Sequence, residues 1–360
     1  MTTAPRIATG QVVALRLFDL AYSIDLPRAA ALWGAAARPR QLSATPAKAM
    51  DFGVPPLALP LGPVEMPGLE ASAEATARLY DFGIVAITLS LPVQDRDFPG
   101  FATLVNRVSR ATLPWPQLLA ALSGPLADAL DRPATRPLEE DYLFAVVHRL
   151  DQPLAAEALL ASVDLVPLLS GETRPLSEAA RADLMRARFS WYADDLVVLG
   201  WDRAFILEPR QDQDVLDVLE MANAQLLELR SYDELLDAEL PRVLATVSAK
   251  RQGLNLLSAR RYARLARRVH ALVAEVTEIS ERVDNALQVT EDVYLARVYA
   301  AAINLFRVPS VNAAVDRKLA TLRATYAALF EEASASRAEL LEIAILVLIA
   351  LEIVLSLLRH

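Results

Sequence analysis

Apolar and polar residues alternate in two different ways along this chain, and the change in spacing divides it near residue 209. Before that point, short apolar runs rich in β-branched residues are separated by prolines and Ala-rich stretches, which predicts strands alternating with helices. The clearest strand candidates are residues 12–18, 82–91, 142–148, 196–199 and 204–207. Residues 1–209 are therefore predicted to form a mixed α/β domain, in which the proline-rich residues 38–62 form a loop.

After residue 209 the apolar residues recur at intervals of three and four, which is the period of a helix with one buried face. Three such ladders occupy residues 215–243, 262–286 and 311–329. Ladders of this kind are typical of coiled coils and of long antiparallel bundles. We therefore predict a helical hairpin or coiled-coil stalk over residues 210–336.

The last apolar stretch, residues 340–358, is interrupted only by Glu342, Glu352 and Ser356. As a helix it would span about 28 Å, close to the ~30 Å hydrocarbon core of a bilayer. We predict a C-terminal transmembrane anchor over residues 337–360. The alternatives are a terminal helix buried in a soluble oligomer and a helix lying at the membrane surface. The predicted fold class is α+β: an N-terminal mixed α/β domain, long coiled-coil-like helices and one C-terminal transmembrane helix.

The polar residues of the predicted anchor fall on one seam of the helix. Their spacing of three and four residues is that of a face used for helix association in lipid, and the seam comprises Glu342, Ile345, Ile349, Glu352 and Ser356. A carboxylate at Glu352 is costly in lipid unless it is protonated or partnered. We therefore expect the anchor to associate with copies of itself, so that the partners are further copies of the chain and membrane lipid.

The amino-acid composition excludes several kinds of catalytic site. The chain has no Cys and only three His, so disulfides, thiolate metal sites and histidine triads have few or no residues to draw on. It also has no glycine-rich phosphate loop and no nucleophile elbow. We predict no enzymatic activity, no cofactor or metal, and no small-molecule substrate.

Two groups of carboxylates keep one enzymatic alternative open. Asp194 and Asp195 precede a predicted strand, where adjacent side chains point to opposite faces, and we interpret them as solvated acids at the start of a hairpin. Residues 139–141 form a second acidic run before a strand. A membrane-bound hydrolase would need a pocket lined by one of these groups.

Charge is segregated in the helical region. Residues 211–240 contain nine acids and one base, whereas residues 241–270 contain eight bases and no acid. One interpretation is an antiparallel hairpin that turns near Gly253 and pairs the two segments. The other is a contact surface for RNA, the ribosome or acidic lipid headgroups, formed by Arg260, Arg264, Arg267 and Arg268.

Four segments together carry a family resemblance: DFGIVAITLSL at 81–91, SWYADDLVVLGWDRAFILEP at 190–209, LEMANAQLLELRSYDELLD at 219–237 and ELLEIAILVLIALEIVLSLL at 339–358. They resemble the required-for-meiotic-nuclear-division family, a domain-of-unknown-function family with bacterial and mitochondrial members. The resemblance implies a C-terminally anchored inner-membrane protein, without enzymatic activity, that assembles into large complexes. It also implies packing or partner contact for the residues that match the motifs, which are Asp194, Asp195, Trp201, Asn223, Glu228, Arg230, Tyr232 and Asp233.

These observations lead to one expected function and one alternative. We expect a tail-anchored, homo-oligomeric membrane scaffold or assembly protein in the bacterial inner membrane, with its body in the cytoplasm. The N-terminal residues 1–10 carry one Arg and no apolar run, which does not indicate a secretory signal or a mitochondrial transit peptide. The alternative is a membrane tether for the ribosome or RNA through the basic residues 242–268.

Overall fold

The computed structural model describes residues 5–39, 54–248 and 292–358, together with five positions between 267 and 274. Of residues 242–248 and most of 326–358 it describes the helical backbone and not the side chains. The described chain divides into two compact units. The first comprises Met1–Ser231 and Arg282–Pro309, and the second comprises Tyr232–Glu281 and Ser310–His360.

Nine of the described strands form a single sheet in the order β3-β4-β5-β6-β1-β8-β11-β10-β9. Neighbouring strands are antiparallel, except that β8 and β11 run parallel. The remaining strands, β2 and β7, pair with each other. The strands are β1 (Arg6–Asp19), β2 (Ala21–Ile24), β3 (Arg38–Pro39), β4 (Leu57–Met66), β5 (Ala71–Leu79), β6 (Ile84–Asp97), β7 (Leu130–Pro133), β8 (Glu139–Leu150), β9 (Arg188–Phe189), β10 (Leu196–Leu199) and β11 (Arg203–Leu207).

The helices belong to two groups along the chain. Short helices connect the strands: α1 (Leu26–Trp33), α2 (Phe98–Arg110), α3 (Trp115–Ser123), α4 (Ala156–Ser162), α5 (Val166–Ser170) and α6 (Glu178–Leu184). Within the ranges 54–248 and 292–358, three helices follow the last strand: α7 (Asp214–Ser248), α8 (Val293–Leu305) and α9 (Val308–Leu358). Side-chain caps begin several of these helices; the Asp97 carboxylate, for example, accepts a hydrogen bond from the backbone N–H of Gly100 at 2.9 Å, with Pro99 in the first turn.

Both faces of the central strands are buried, which is why these strands are almost wholly apolar. In β1, Val12, Ala14 and Phe18 belong to a core shared with helices α1 to α5. The residues between them, such as Leu15 and Leu17, point to the opposite face and are also buried. On that second face the ring of Phe306, directly after α8, lies 5.4 Å from the ring of Tyr142 in β8.

The structure confirms the α+β class and the predicted strands near the centre of the sheet. It corrects the loop predicted at residues 38–62, because residues 57–66 form β4. Pro60 and Pro63 made this segment resemble a loop, since proline cannot donate to a ladder of hydrogen bonds. Strand β4 accommodates Pro60 through an irregularity in its register with β5 between Pro60 and Gly62.

The predicted transmembrane helix and coiled-coil stalk are not confirmed. Among the described residues, no single helix combines the length and apolar composition needed to cross a membrane. Val293–Leu305 and Val308–Thr325 meet that criterion only together, as a pair bent by 61°. Most side chains of the predicted anchor, residues 337–360, lie outside the described residues.

Gly83 occupies a turn that no other residue fits. It follows β5 with a φ of +94°, and its carbonyl accepts hydrogen bonds from the backbone N–H groups of Leu20 and Ala21. A Cβ added at this position would lie 1.7 Å from the carbonyl oxygen of Ala21. The turn therefore requires glycine both for its backbone conformation and for the close approach of two chain segments.

Substitution of Gly83 by Ala is expected to lower the free energy of unfolding by about 4 kcal/mol or more, because the new methyl group collides with backbone. Gly34→Ala is the matched control, since Gly34 has a φ of +86° with no atom within 4 Å of the added Cβ. The control carries only conformational strain, about 1–3 kcal/mol. Urea denaturation of both variants measures the difference, and equal losses would contradict the steric interpretation.

Candidate functional site

A buried ionic cluster joins helix α7 to the sheet. Arg78 in β5 donates from Nη1 to Asp217 Oδ1 at 2.7 Å and to Glu220 Oε2 at 2.9 Å. The Tyr80 hydroxyl donates to Glu220 Oε1 at 2.6 Å. All four residues are buried, with Asp217 and Glu220 exposing 3% and 2% of their surface. The first turns of α7 are therefore held against β5 by charge-assisted hydrogen bonds.

The protonation states in this cluster follow from its burial. Burial raises the pKa of Tyr80 well above its ordinary value, and the Glu220 carboxylate raises it further, so Tyr80 stays a neutral donor. Burial alone would lower the pKa of Arg78, but Glu220 and Asp217 raise it above its ordinary value. The guanidinium therefore keeps its charge between the two carboxylates.

Further along α7, a second set of contacts ties the helix to the end of the sheet. Arg230 pairs with Glu140 in β8, and the Ser231 hydroxyl donates to the carboxylate of Asp19 in β1. Burial raises the pKa of Asp19 above its ordinary value, while the hydrogen bond from Ser231 opposes that shift. Helix α7 is thus fixed at two places along its first five turns.

The predicted α7 residues divide between packing and ion pairing. Asn223, Glu228 and Tyr232 are buried, and the Asn223 side chain donates to the carbonyl of Leu219 in its own helix at 2.8 Å. Asp233 instead pairs with Lys318 in α9, Oδ1 to Nζ at 2.6 Å. All of these contacts are compatible with a role in packing.

Four acids of the predicted charge-matched hairpin pair with bases outside its basic half. Asp217 and Glu220 pair with Arg78, and Asp233 and Asp237 pair with Lys318 at 2.6 Å each. These four acids therefore have partners outside residues 241–270. Most of the basic segment, including Arg260, Arg264 and Arg268, lies outside the described residues.

The loop between β9 and β10 contains a second group of charged and aromatic residues. The Asp195 carboxylate accepts hydrogen bonds from the backbone N–H groups of Trp191 at 2.7 Å and Tyr192 at 3.1 Å. Arg210 Nη2 lies 3.3 Å from Asp195 Oδ2 and 3.1 Å from Glu208 Oε2. The Arg210 guanidinium also lies over the ring of Tyr192, at 4.1 Å from its centroid.

This geometry corrects the interpretation of Asp194 and Asp195 as a solvated pair. Asp194 is exposed, but Asp195 exposes only 2% of its surface and organises the loop. The two carboxylates do not converge on one ligand, which agrees with their opposite directions on the chain. Trp201, in the turn between β10 and β11, is 55% exposed and lies 5.5 Å from the Arg307 guanidinium.

The predicted membrane seam is described only in part. Ile345 and Ile349 are 55% and 48% exposed, and Glu352 is exposed. The side chains of Glu342 and Ser356 lie outside the described residues. In the portion of the chain that the structure describes, no group of three His, Asp or Glu residues is arranged to hold a metal ion.

Sequence reasoning missed Arg78, Tyr80, Glu208 and Arg210. Arg78 lies in the Ala-rich segment Ala71–Leu79, which was not predicted as a strand. A signal was nevertheless present in α7, because Asp217 and Glu220 are interspersed among the apolar positions Val215 and Leu219. Acids on the buried side of a helix need a partner that compensates their charge, and here that partner is Arg78 from the sheet.

The fold and the buried ionic cluster together define an α+β protein whose sheet is held against helix α7. A family model described as the N-terminal domain of uncharacterized protein MJ0711 matches residues 9–214. This match covers more than half of the chain, and the chain therefore belongs to that family. It begins in β1 and ends at the first residue of α7, so helices α7 to α9 follow the matched domain.

The comparison with individual proteins agrees with the family match. Uncharacterized protein MJ0711 of Methanocaldococcus jannaschii is 24% identical over 194 residues, which are 54% of this chain and 58% of that protein. The chain thus matches less than two thirds of its relative. No solved structure matches the chain. The comparisons support a domain-of-unknown-function family, but not the required-for-meiotic-nuclear-division family that the motifs resemble.

Replacing Arg78 with Met is expected to lower the free energy of unfolding by about 3–5 kcal/mol, because two buried carboxylates lose their cation. Arg186→Met is the control, since the Arg186 and Asp183 side chains are 80% and 69% exposed and such a pair contributes at most about 1 kcal/mol. Urea denaturation compares the two. The triple variant Arg78→Met, Asp217→Asn, Glu220→Gln should recover part of the loss, and no recovery would contradict the electrostatic explanation.

The raised pKa of Asp19 predicts a specific dependence of stability on pH. A carboxyl group with a higher pKa in the folded state stabilises the fold at low pH and loses that contribution as pH rises through the folded pKa. Asp19→Asn should therefore have the same stability as the native chain below the ordinary pKa of 3.8 and become the more stable of the two as pH rises above that value. The urea midpoints of both proteins, compared from about pH 3 to about pH 8, measure this difference in stability. A difference that is largest at acid pH would show that the sign is wrong.

Proposed function

We propose that this protein is a non-enzymatic scaffold, held at a membrane by the end of helix α9 and assembled with copies of itself. One observation carries the proposal. Ile345, Leu346, Leu348 and Ile349 lie next to one another near the end of α9, with 48–63% of their surfaces exposed. Burial of each such side chain is worth about 1.5–3 kcal/mol, so their exposure to water is unfavourable.

The sequence around these residues favours lipid as the cover. Residues 340–358 are apolar except for Glu342, Glu352 and Ser356, and the backbone of α9 is helical through Leu358. Association with copies of the same helix would give Glu352 a polar environment inside the membrane. In this arrangement the body lies in the bacterial cytoplasm and the helix enters the inner membrane.

The buried acids support a structural role for the body. Asp217 and Glu220 bind a guanidinium from the sheet, and Asp195 binds backbone N–H groups of its own loop. Carboxylates in such environments are engaged in holding elements together, which differs from the poised acid–base pair of a hydrolase. A scaffold needs a rigid body of this kind more than it needs a reaction centre.

A second candidate function is a tether for RNA, the ribosome or acidic lipid through residues 242–268. It is favoured by the ion pairs of Asp217 and Glu220 with Arg78 and of Asp233 with Lys318, because these acids then need no partner in the basic segment. Charge reversal at Arg260, Arg264, Arg267 and Arg268 tests it. Loss of RNA co-purification with an unchanged particle mass would support the tether, whereas retained RNA would contradict it.

Membrane attachment through α9 predicts that the double variant Ile345→Lys, Ile349→Lys no longer floats with vesicles of neutral phospholipid. The introduced charges oppose insertion by several kcal/mol, on the order of 3 per residue at the bilayer centre. Leu32→Lys is the matched control, because Leu32 in α1 is 43% exposed and far from α9 in sequence. Flotation of the native chain and the control is expected.

Assembly is measured separately, by light scattering of the detergent-solubilised chain. The scaffold proposal expects a mass that is a multiple of 39.3 kDa, reduced by truncation after Arg337. A truncated protein that still floats and keeps its particle mass would refute both parts of the proposal.

A further inference from the structure

We propose that the loop 190–195 between β9 and β10 is a docking surface for a basic segment, containing Arg or Lys, of a protein partner. This surface belongs to the family-matched body and is independent of the membrane role proposed for α9. Three features of the described residues support this assignment: exposed aromatic rings, a loop with hydrogen bonds of its own, and a local excess of acids.

Two large aromatic side chains are presented to solvent at the loop. Trp191 is 53% exposed and Tyr192 is 43% exposed, although both lie within three residues of the paired strand β9. The Trp191 ring also lies 6.0 Å from the ring of Tyr294 in α8. Trp and Tyr are the residues that most often dominate binding energy at protein interfaces.

The loop is held in place by its own hydrogen bonds before any partner arrives. Asp195 is 2% exposed and accepts from the backbone N–H groups of Trp191 and Tyr192. Arg210 connects Asp195 to Glu208 and covers one face of the Tyr192 ring. Because these contacts hold the aromatic residues in the free protein, the binding of a partner costs little further conformational entropy.

The surrounding charges select a cationic partner. In and beside the loop, acids outnumber bases by four to two, for a formal charge of -2: Asp194, Asp195, Glu208 and Asp292 against Arg188 and Arg210. Asp292 belongs to this group because its carboxylate accepts a hydrogen bond at 2.8 Å from the backbone N–H of Tyr294, whose ring lies beside Trp191. Such a potential attracts Arg and Lys side chains and repels nucleic acid.

The chain itself shows how a guanidinium fits this environment. Arg210 stacks over Tyr192 and reaches the carboxylates of Asp195 and Glu208. A partner Arg would make the same two kinds of contact, with the exposed face of the Trp191 ring and with the Asp194 carboxylate. Arginine is favoured over lysine because its planar group stacks on aromatic rings.

The test is fluorescence anisotropy of a labelled octa-arginine peptide with the full chain in nonionic detergent at ~0.15 M salt. The native chain should bind the peptide, and Trp191→Ala should weaken binding by about tenfold. Trp201→Ala is the matched control, because Trp201 is equally exposed, at 55%, on a different turn. It should change binding by less than about twofold, and Asp194→Asn should weaken it to an intermediate extent.

Several results would overturn the proposal. Equal effects of Trp191→Ala and Trp201→Ala would show that the peptide responds only to the net charge of the chain. Binding of an oligonucleotide that is lost in Trp191→Ala would assign the loop to nucleic acid. A lower particle mass of Trp191→Ala in light scattering would assign it to contact between copies. Circular dichroism of each variant establishes that a loss of binding does not reflect unfolding, and flotation with vesicles is expected to be unaffected.

Discussion

The fold depends on one buried charge, the guanidinium of Arg78 between the carboxylates of Asp217 and Glu220. A cation enclosed on the second face of the sheet is tolerable only while both acids are present, and the acids are tolerable only while it is. Because Arg78 comes from β5 and the acids from α7, neither the sheet nor the helix satisfies its own buried groups. The helix that follows the family-matched domain is thereby required for the electrostatic balance of that domain.

The two faces of the sheet are covered in different ways. On one face the core includes apolar residues from α1 to α5, and the buried Arg203 of β11 adds hydrogen bonds to α2 and α5. On the other face, α7 contributes buried apolar side chains together with ionic and polar contacts at Glu220, Arg230 and Ser231. Directional hydrogen bonds of this kind fix the register of a helix against the strands that it covers.

Local patterns were sufficient to predict the apolar strands and the long helices, but not the contacts between them. The strands β6, β8, β10 and β11 contain continuous apolar runs, which is how burial on both faces of a sheet appears in a sequence. The prolines of β4 concealed a strand, because they are accommodated by an irregular pairing with β5 that spacing alone does not reveal. The burial of Asp195 and the pairing of Arg78 with α7 join residues distant in sequence, which spacing alone cannot reveal.

The β9 end of the nine-stranded sheet constrains how copies of this protein can meet. Strand β9 is two residues long and pairs only with Val197 and Val198 of β10. Few backbone groups are therefore aligned at this end to accept a further strand from another molecule. Growth by strand addition, the usual route to uncontrolled aggregation, is disfavoured there. Ordered contact between copies at this end must then form through side chains of helices and loops, whose contacts can saturate at a fixed number of subunits.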